Sequence, residues 1–396
     1  MHRTLRLKKN EERRLVAGHL WIYSNEVDVD ATPLTGFRPG ELVDVRDHRD
    51  QVHGTAYVNP HSLICARLIS RRAGIALDTD LIEQRLRTAL ELRTRLFDGP
   101  YYRAAYGEAD ALPGLVVDRF DRILVAQVTT AGMEERKPQI AEALERVFAP
   151  EAVIFRNDVA IRSLEGLRLY IEAPPTAPES LIVEENGLRF AAPLSTGQKT
   201  GWYFDHRLTR ARLPVYVRNR RVLDVFSYLG AWGVQAAAAG AAAVTCVDES
   251  QSALDALERN AALNSVGGRI GVRQGDAFEV LKVLRQEGQS FDVVILDPPA
   301  FIKRRKDVES GVKAYHRLNQ LALRLLEPGG ILISASFSFH LSADDLKRVL
   351  LRAAARANVA IKILEQGHQG PDHPIHPAIE ETAYLKSFIA QTSGLP

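Results

Sequence analysis

Residues 221–250 read RVLDVFSYLGAWGVQAAAAGAAAVTCVDES, and this stretch decides the fold. An apolar run, Val222–Phe226, breaks at the turn-prone Ser227-Tyr228-Leu229-Gly230. An alanine-rich helix follows over about Trp232–Ala239, and a second apolar run, Ala243–Val247, ends on Asp248 and Glu249. The pattern is strand, tight loop, helix, strand. Small residues at Gly230, Ala231 and Gly233 let backbone approach a ligand at the first strand's carboxyl end, the usual binding crevice of an open parallel sheet. The acid at the end of the second strand, about 20 residues on, can accept hydrogen bonds from both hydroxyls of a ribose. An adenosine-containing ligand is expected.

The loop chemistry narrows the choice. A dinucleotide fingerprint, G-x-G-x-x-G, brings a pyrophosphate onto a helix N-terminus. Here the loop reads D-x-F-S-Y-L-G, and Asp224 would repel a phosphate but welcome a sulfonium or amino group. S-adenosylmethionine fits better than NAD.

At 396 residues, 46% hydrophobic and 25% charged, the chain is long enough for two or three domains with their own cores. It shows no apolar run of the roughly 20 residues that span a bilayer, and its start lacks a signal-peptide apolar core. A cytoplasmic protein without a membrane partner is expected, as a monomer or homodimer. Cys65 and Cys246 sit in apolar runs and read as buried, inert thiols. Net charge is only +2, yet Met1–Leu20 carries six Lys/Arg against two Glu, Phe204–Arg221 six Arg against one Asp, and residues 303–306 read KRRK. Local patches of this kind bind phosphate backbones without a basic average.

Three domains are expected. Residues 1–73 alternate in short segments punctuated by Pro39-Gly40 and His53-Gly54, as in a small barrel. Through Gly18–Ser24, Gly40–Val45 and Gly54–Asn59 this segment resembles a PUA domain, an RNA-binding barrel, with Trp21 and Tyr23 filling its core. Residues 74–178 read as a small α+β middle domain: a helix over Leu77–Phe97, strands at Gly114–Asp118 and Ile123–Thr129, a helix over Glu134–Phe148, and strands at Ala152–Arg156 and Leu167–Ile171. The Pro-rich Ala173–Glu179 then serves as a linker. Residues 179–396 open with a hairpin turning at Asn186-Gly187 and continue as alternating strands and helices. Seven strands, two late ones closing an edge, make a doubly wound α/β sheet.

At Leu296-Asp297-Pro298-Pro299-Ala300-Phe301 the sequence reaches a recognisable set. With Gly197–Gly201, Phe226-Ser227-Tyr228-x-Gly230, Val247-Asp248-x-Ser250 and Asp372-His373-Pro374, it resembles the large-subunit rRNA cytosine-C5 methyltransferase family across essentially the whole chain. The resemblance implies a Rossmann-like class I methyltransferase domain behind a PUA barrel, S-adenosylmethionine as cofactor and rRNA as partner. It places Asp224, Phe226, Ser227, Gly230, Asp248, Ser250, Asp276 and Ala277 at the cofactor. Gln198 and Lys199 line its methionine end or contact a phosphate. Asp297, Pro298, Pro299 and Phe301 form the catalytic loop, with Phe301 as a stacking face for the base; stacking is worth about 1–3 kcal/mol per base. Lys303, Arg304, Arg305 and Lys306 hold RNA backbone, and Asp372 and His373 belong to the active-site wall. Structural alternatives stand beside these roles: Asp276 and Asp297 as helix caps, Phe301 as core, and Lys303–Lys306 as a solvated face. No metal site is expected, because His368, His373 and His376 lie in a Pro-rich loop without a ligand framework.

One position departs from the family. Carbon 5 of cytosine becomes nucleophilic only after a cysteine thiolate adds to carbon 6. The family carries that cysteine in a Ser-Cys-Ser segment, where this chain has Ser336-Phe337-Ser338. A ring or exocyclic nitrogen needs no covalent step, only proximity and an acceptor for a departing proton. The chain therefore reads as an rRNA methyltransferase whose carbon-5 chemistry is in question. Nitrogen methylation of a guanine-like target and a non-catalytic RNA-binding paralogue are the alternatives.

Overall fold

The computed structural model describes residues 2–194 and 200–394. The chain divides into two compact units, and it passes between them repeatedly: the first holds residues 1–181, 194–202 and 371–382, the second residues 182–193, 203–370 and 383–396.

In the first unit, strands β1 (Arg3–Arg6), β2 (Trp21–Tyr23), β3 (Glu41–Arg46), β4 (Val52–Val58) and β5 (Ile64–Ser70) form a sheet in the order β1-β3-β4-β5-β2. A bridge between Leu7 and Val27 joins its two ends. The short helix α1 (Arg13–Val16) sends Leu15 into the core shared with Leu5, Ile22, Val43, Ala56 and Cys65. Trp21 and Tyr23 do not fill this core. They are half-buried on either side of Ile22, because side chains alternate along a strand and Ile22 takes the inward position. The Trp21 indole N–H instead donates to Glu108 at 2.8 Å, and the Arg14 guanidinium lies over the Tyr23 ring.

A second sheet follows in the same unit: β6 (Tyr101–Tyr106), β7 (Leu115–Phe120), β8 (Ile123–Val128), β9 (Ala152–Asn157) and β10 (Tyr170–Glu172), in the order β10-β9-β8-β7-β6. Helix α2 (Thr79–Leu96) starts where Asp78 accepts a hydrogen bond from Leu81 N. It buries Ile82 and Leu86 against the sheet beside α4 (Lys137–Phe148); the single turns α3 (Ala131–Glu134) and α5 (Ile161–Leu164) complete the layer. The two sheets share buried polar ties. Asn59 donates to Glu165 at 2.8 Å, Arg67 pairs with Glu165 at 3.0 Å, and Tyr57 donates to the Pro113 carbonyl at 2.8 Å.

In the second unit a hairpin, β11 (Ser180–Glu185) and β12 (Leu188–Pro193), turns at Asn186-Gly187, both with positive φ. The short helices α6 (Arg207–Arg210) and α7 (Leu213–Val217) lead into β13 (Arg221–Val225), α8 (Gly233–Ala238), β14 (Ala243–Asp248), α9 (Gln251–Leu263), β15 (Ile270–Gln274), α10 (Ala277–Gln286), β16 (Phe291–Leu296), α11 (Val308–Leu323), β17 (Leu326–Ser336), α12 (Ala343–Ala357), β18 (Ala360–His368) and β19 (Lys386–Ser393). The seven strands run β15-β14-β13-β16-β17-β19-β18, with β19 antiparallel to both neighbours. This is the doubly wound sheet that the sequence predicts, including the late pair at one edge. Its order reverses between β13 and β16, so the carboxyl ends of those two strands bound the crevice where such sheets bind ligands. Among the described residues no helix is long and apolar enough to cross a membrane.

Candidate active site

Asp224 lies on β13, fully buried. Its Oδ2 accepts a hydrogen bond from Gly233 N at 2.9 Å, while Oδ1 has no partner among the described residues. Burial, and then the charge of Asp297, push its carboxyl up to about 8. The group thus keeps its proton at neutral pH until a cation is brought to the open oxygen.

The loop after β13 is tightly wound. Phe226 and Tyr228 both have positive φ, 67° and 46°, a conformation that costs non-glycine residues of order 1–3 kcal/mol each. Hydrogen bonds fix it in place: Phe226 N and Ser227 N both donate to the Val247 carbonyl, and Tyr228 N donates to Asp248 Oδ2 at 2.9 Å. Gly230 has a φ of 86°, and a Cβ there would stand 2.7 Å from Leu257; a Cβ on Gly233 would stand 2.5 Å from Cys246 Sγ. Beyond the close ligand approach that the sequence suggests, both glycines answer to packing against α9 and β14.

Asp248, half-buried at the end of β14, receives Tyr228 N on one oxygen and Ser250 N at 3.0 Å on the other. Each oxygen retains a lone pair for a ribose hydroxyl. The Ser250 hydroxyl caps α9 by accepting from Ala253 N. Asp276 is exposed, and its Oδ1 caps α10 by accepting from Glu279 N at 3.1 Å, the structural alternative stated for it; Oδ2 has no partner among the described residues. Ala277 is buried beneath it. Gln198 and Lys199 lie outside the described residues. Asp224 Oδ1 and the Ser227 hydroxyl, both without a partner among the described residues, are what a ligand with a cationic end would satisfy, and Asp248 suits its diol, so the donor set fits S-adenosylmethionine.

At the end of β16, Asp297 Oδ2 accepts the Trp232 indole N–H at 2.8 Å, and Oδ1 lies 3.1 Å from His206 Nε2, close but not aligned as a hydrogen bond. Pro298 is buried and Pro299 exposed. Phe301 is half-buried in an aromatic group, its ring centroid 4.8 Å from Tyr315, 6.1 Å from Phe278 and 6.5 Å from Phe226. Beneath Asp297 the fully buried Glu185–Arg210 pair, at 2.6 Å, sets Arg210 under the Trp232 ring and against the Tyr203 carbonyl.

Phe337 follows β17 and packs with His206 at 5.1 Å, Tyr203 at 6.2 Å and Tyr384 at 6.2 Å, the last in near-parallel stacking. Its flanking serines are committed to structure. Ser336 Oγ donates to the Tyr315 hydroxyl, and Ser338 Oγ sits 2.9 Å from that hydroxyl while accepting Ile302 N at 3.1 Å. Buried Lys386, lowered to about 8 by burial, donates to the Ser338 carbonyl. Cys246 is buried on β14 with its thiol pushed well up by burial and by Asp224; Cys65 lies in the barrel with its thiol raised to about 12 by burial. Neither forms a thiolate near neutrality.

The structure thus brings Asp224, Phe226, Ser227, Gly230 and Asp248 together at one crevice, with Asp297 on the adjoining strand. Lys303, Arg304, Arg305 and Lys306 are exposed just beyond Phe301, with Arg304 paired to Asp307. Asp372 and His373 fall in the first unit, where Asp372 accepts Arg103 N at 3.0 Å and its carbonyl accepts Arg93 at 3.0 Å. They anchor the 371–382 segment to β6 and α2. Among the described residues the cluster of ligand-type atoms within 4.8 Å of one another is Glu12, Asp47 and His48 in the barrel; the three histidines of the Pro-rich loop are not part of it. Sequence reasoning missed His206 and Trp232. The signal for His206 was faint: a polar Asp-His-Arg beside aromatics just before the nucleotide unit.

Residues 167–390 match the family described as S-adenosylmethionine-dependent methyltransferase, and residues 5–71 match a PUA-like domain. The ribosomal RNA large subunit methyltransferase I of Cronobacter sakazakii is 35% identical over 389 residues, covering 96% of this chain and 97% of that protein. Its namesake from Erwinia tasmaniensis is 35% identical over 392 residues, covering 97% and 98%. A solved structure of a candidate methyltransferase complexed with SAH superposes with a TM-score of 0.84 at 22% identity, covering 98% of this chain and all of that one. The chain therefore belongs to the S-adenosylmethionine-dependent methyltransferases, alongside the enzymes named ribosomal RNA large subunit methyltransferase I, and carries a PUA-like domain ahead of its methyltransferase sheet.

Proposed function

We propose that this protein transfers a methyl group from S-adenosylmethionine to a base nitrogen of large-subunit rRNA, in the cytoplasm, without covalent attachment to the base. The rRNA target is supported by the names and near full-length coverage of its relatives. The observation that carries the nitrogen assignment is Phe337, an aromatic ring standing where carbon-5 chemistry needs a thiolate, with both cysteines buried elsewhere.

When bound, the cofactor supplies an electrophilic methyl group on a positively charged sulfur. The protein's own groups do the rest. Asp224 offers its open oxygen to the cationic amino end, and Asp248 takes the ribose diol. Asp297, oriented by Trp232 through Oδ2, keeps Oδ1 for the N–H of a base and so fixes which lone pair faces the methyl group. The rings of Phe337, Tyr203 and Tyr384 line up with His206 as an apolar wall that excludes water.

Transfer of labelled methyl to rRNA from a strain lacking the gene, followed by nucleoside mass spectrometry, tests this. A nitrogen-methylated base is expected, and label in 5-methylcytidine would overturn the nitrogen assignment. The absent cysteine also favours a second reading, a non-catalytic RNA-binding protein. Tight cofactor and RNA binding with no label anywhere would establish it.

A further inference from the structure

Helices α11 and α12 both begin at the sheet edge that carries the site, α11 after the Asp297–Phe301 loop and α12 after Phe337, and both run away from it. Between them lies a groove of about 1030 Å³. Its two walls present Lys313, His316 and Arg317 from α11 and Arg348, Arg352 and Arg356 from α12, with Asp345 as the one acid in the lining.

The three α12 arginines recur at i, i+4 and i+8, which stacks like charges on one helix face over about 12 Å. Such spacing repels rather than supports the helix. Asp345 pairs with Arg348 at 2.8 Å, but among the described residues neither Arg352 nor Arg356 pairs with a carboxylate. The neighbouring helix α10 differs: there Glu279 answers Lys282 at 2.6 Å. At the far end Arg324 donates to the Arg356 carbonyl and adds another cation. Near the site, Arg317 lies over the Phe278 ring, itself 6.1 Å from Phe301. A chain whose net charge is only +2 has gathered cations along one groove leading from its catalytic loop: Lys313 pairs with Glu309 at 2.6 Å and Arg348 with Asp345, while Arg352 and Arg356 have no carboxylate partner among the described residues.

We infer that the α11–α12 groove is a phosphate-binding track for the backbone of the substrate RNA, reading charge and spacing rather than sequence. This rests on the RNA substrate proposed above. Lys303–Lys306 are exposed and lie in the chain between the Asp297–Phe301 loop and α11, so the track would extend through them toward the base.

The test measures binding of full-length protein to deproteinised large-subunit rRNA, and to an unrelated RNA of equal length, from 50 to 200 mM salt. The variant R348Q/R352Q/R356Q is compared with R259Q/R285Q/K362Q, which removes the same charge from exposed positions elsewhere in the second unit. The groove variant should bind both RNAs roughly 10- to 100-fold more weakly at 100 mM salt, with the slope of log affinity against log salt shallower by about 2. Its affinity for S-adenosylhomocysteine should match wild type, which shows that the second unit is folded. An unchanged slope, or an equal loss in the control variant, overturns the track. Failure of the wild type to methylate rRNA would instead overturn the proposed reaction, and the binding slopes would still decide the groove.

Discussion

Asp224 and Asp297 end neighbouring parallel strands, and the charge of Asp297 helps hold the Asp224 carboxyl protonated up to about pH 8. Burial together with the neighbouring Asp297 therefore keeps Asp224 neutral until a cationic ligand changes the balance.

The sign of the resulting pH dependence is fixed. Asp224 has a folded value raised above its ordinary 3.8, so the folded protein binds the extra proton between about pH 4 and 8. Its contribution to stability is full below pH 4 and is lost as pH rises through 8. Ligand-free wild type should lose melting temperature across this window more steeply than D224N. S-adenosylmethionine affinity should rise from pH 6 to 8 in wild type and stay flat in D224N, measured by calorimetry. Parallel profiles in the two proteins would remove Asp224 from the cofactor's cationic end.

Trp232→Phe deletes the donor that orients Asp297. Losing a hydrogen bond to a charged group costs about 2 kcal/mol, so kcat should fall roughly tenfold or more while S-adenosylhomocysteine affinity stays within twofold. A fall in cofactor affinity with kcat intact would mean that Trp232 shapes the cofactor pocket instead.

If no thiolate takes part, alkylation of the native protein with iodoacetamide leaves methyl transfer unchanged, and C246A retains activity at a stability cost of about 1 kcal/mol. Inactivation that tracks modification of either cysteine would return the mechanism to covalent catalysis.

Gly233→Ala forces a Cβ to within 2.5 Å of Cys246 Sγ and 3.1 Å of Asp224 Oδ2. A loss of about 1–3 kcal/mol in stability is expected from chemical denaturation. The double variant G233A/C246A should recover part of it, because one of the two obstructing atoms is gone; strictly additive losses would place the strain elsewhere.

The sequence made the second unit legible where burial wrote a simple pattern. Val222–Phe226, Ala243–Val247 and Asp292–Leu296 are mainly apolar because parallel strands are covered on both faces; Asp224 within the first and the acids that follow the other two mark the crevice. Strand β6, reading YYRAAY, was not legible: Arg103 stands in it as a charged residue satisfied by Asp118 at 2.7 Å, a pairing no local period reveals. The same holds at the site. Asp248 and Asp297 could be placed from their positions after strands. His206 lies 91 residues before the Asp297 it faces, and only the folded sheet brings them together. For Asp276 the helix that follows left both a cap and a ligand role open, and the structure shows the cap.

The segment 371–382 belongs to the first unit although β18 and β19, on either side of it, belong to the second. The carboxylate and carbonyl of Asp372 stitch it to β6 and α2, more than 250 residues earlier. A gene fragment cut after the Pro-rich linker would therefore not encode a free-standing methyltransferase. It would carry a tongue whose receptor had been left behind, and the amino-terminal fragment would lack the piece that completes it. This protein cannot be shuffled as separable cassettes, so its PUA-like domain and its cofactor sheet must be inherited, expressed and engineered together.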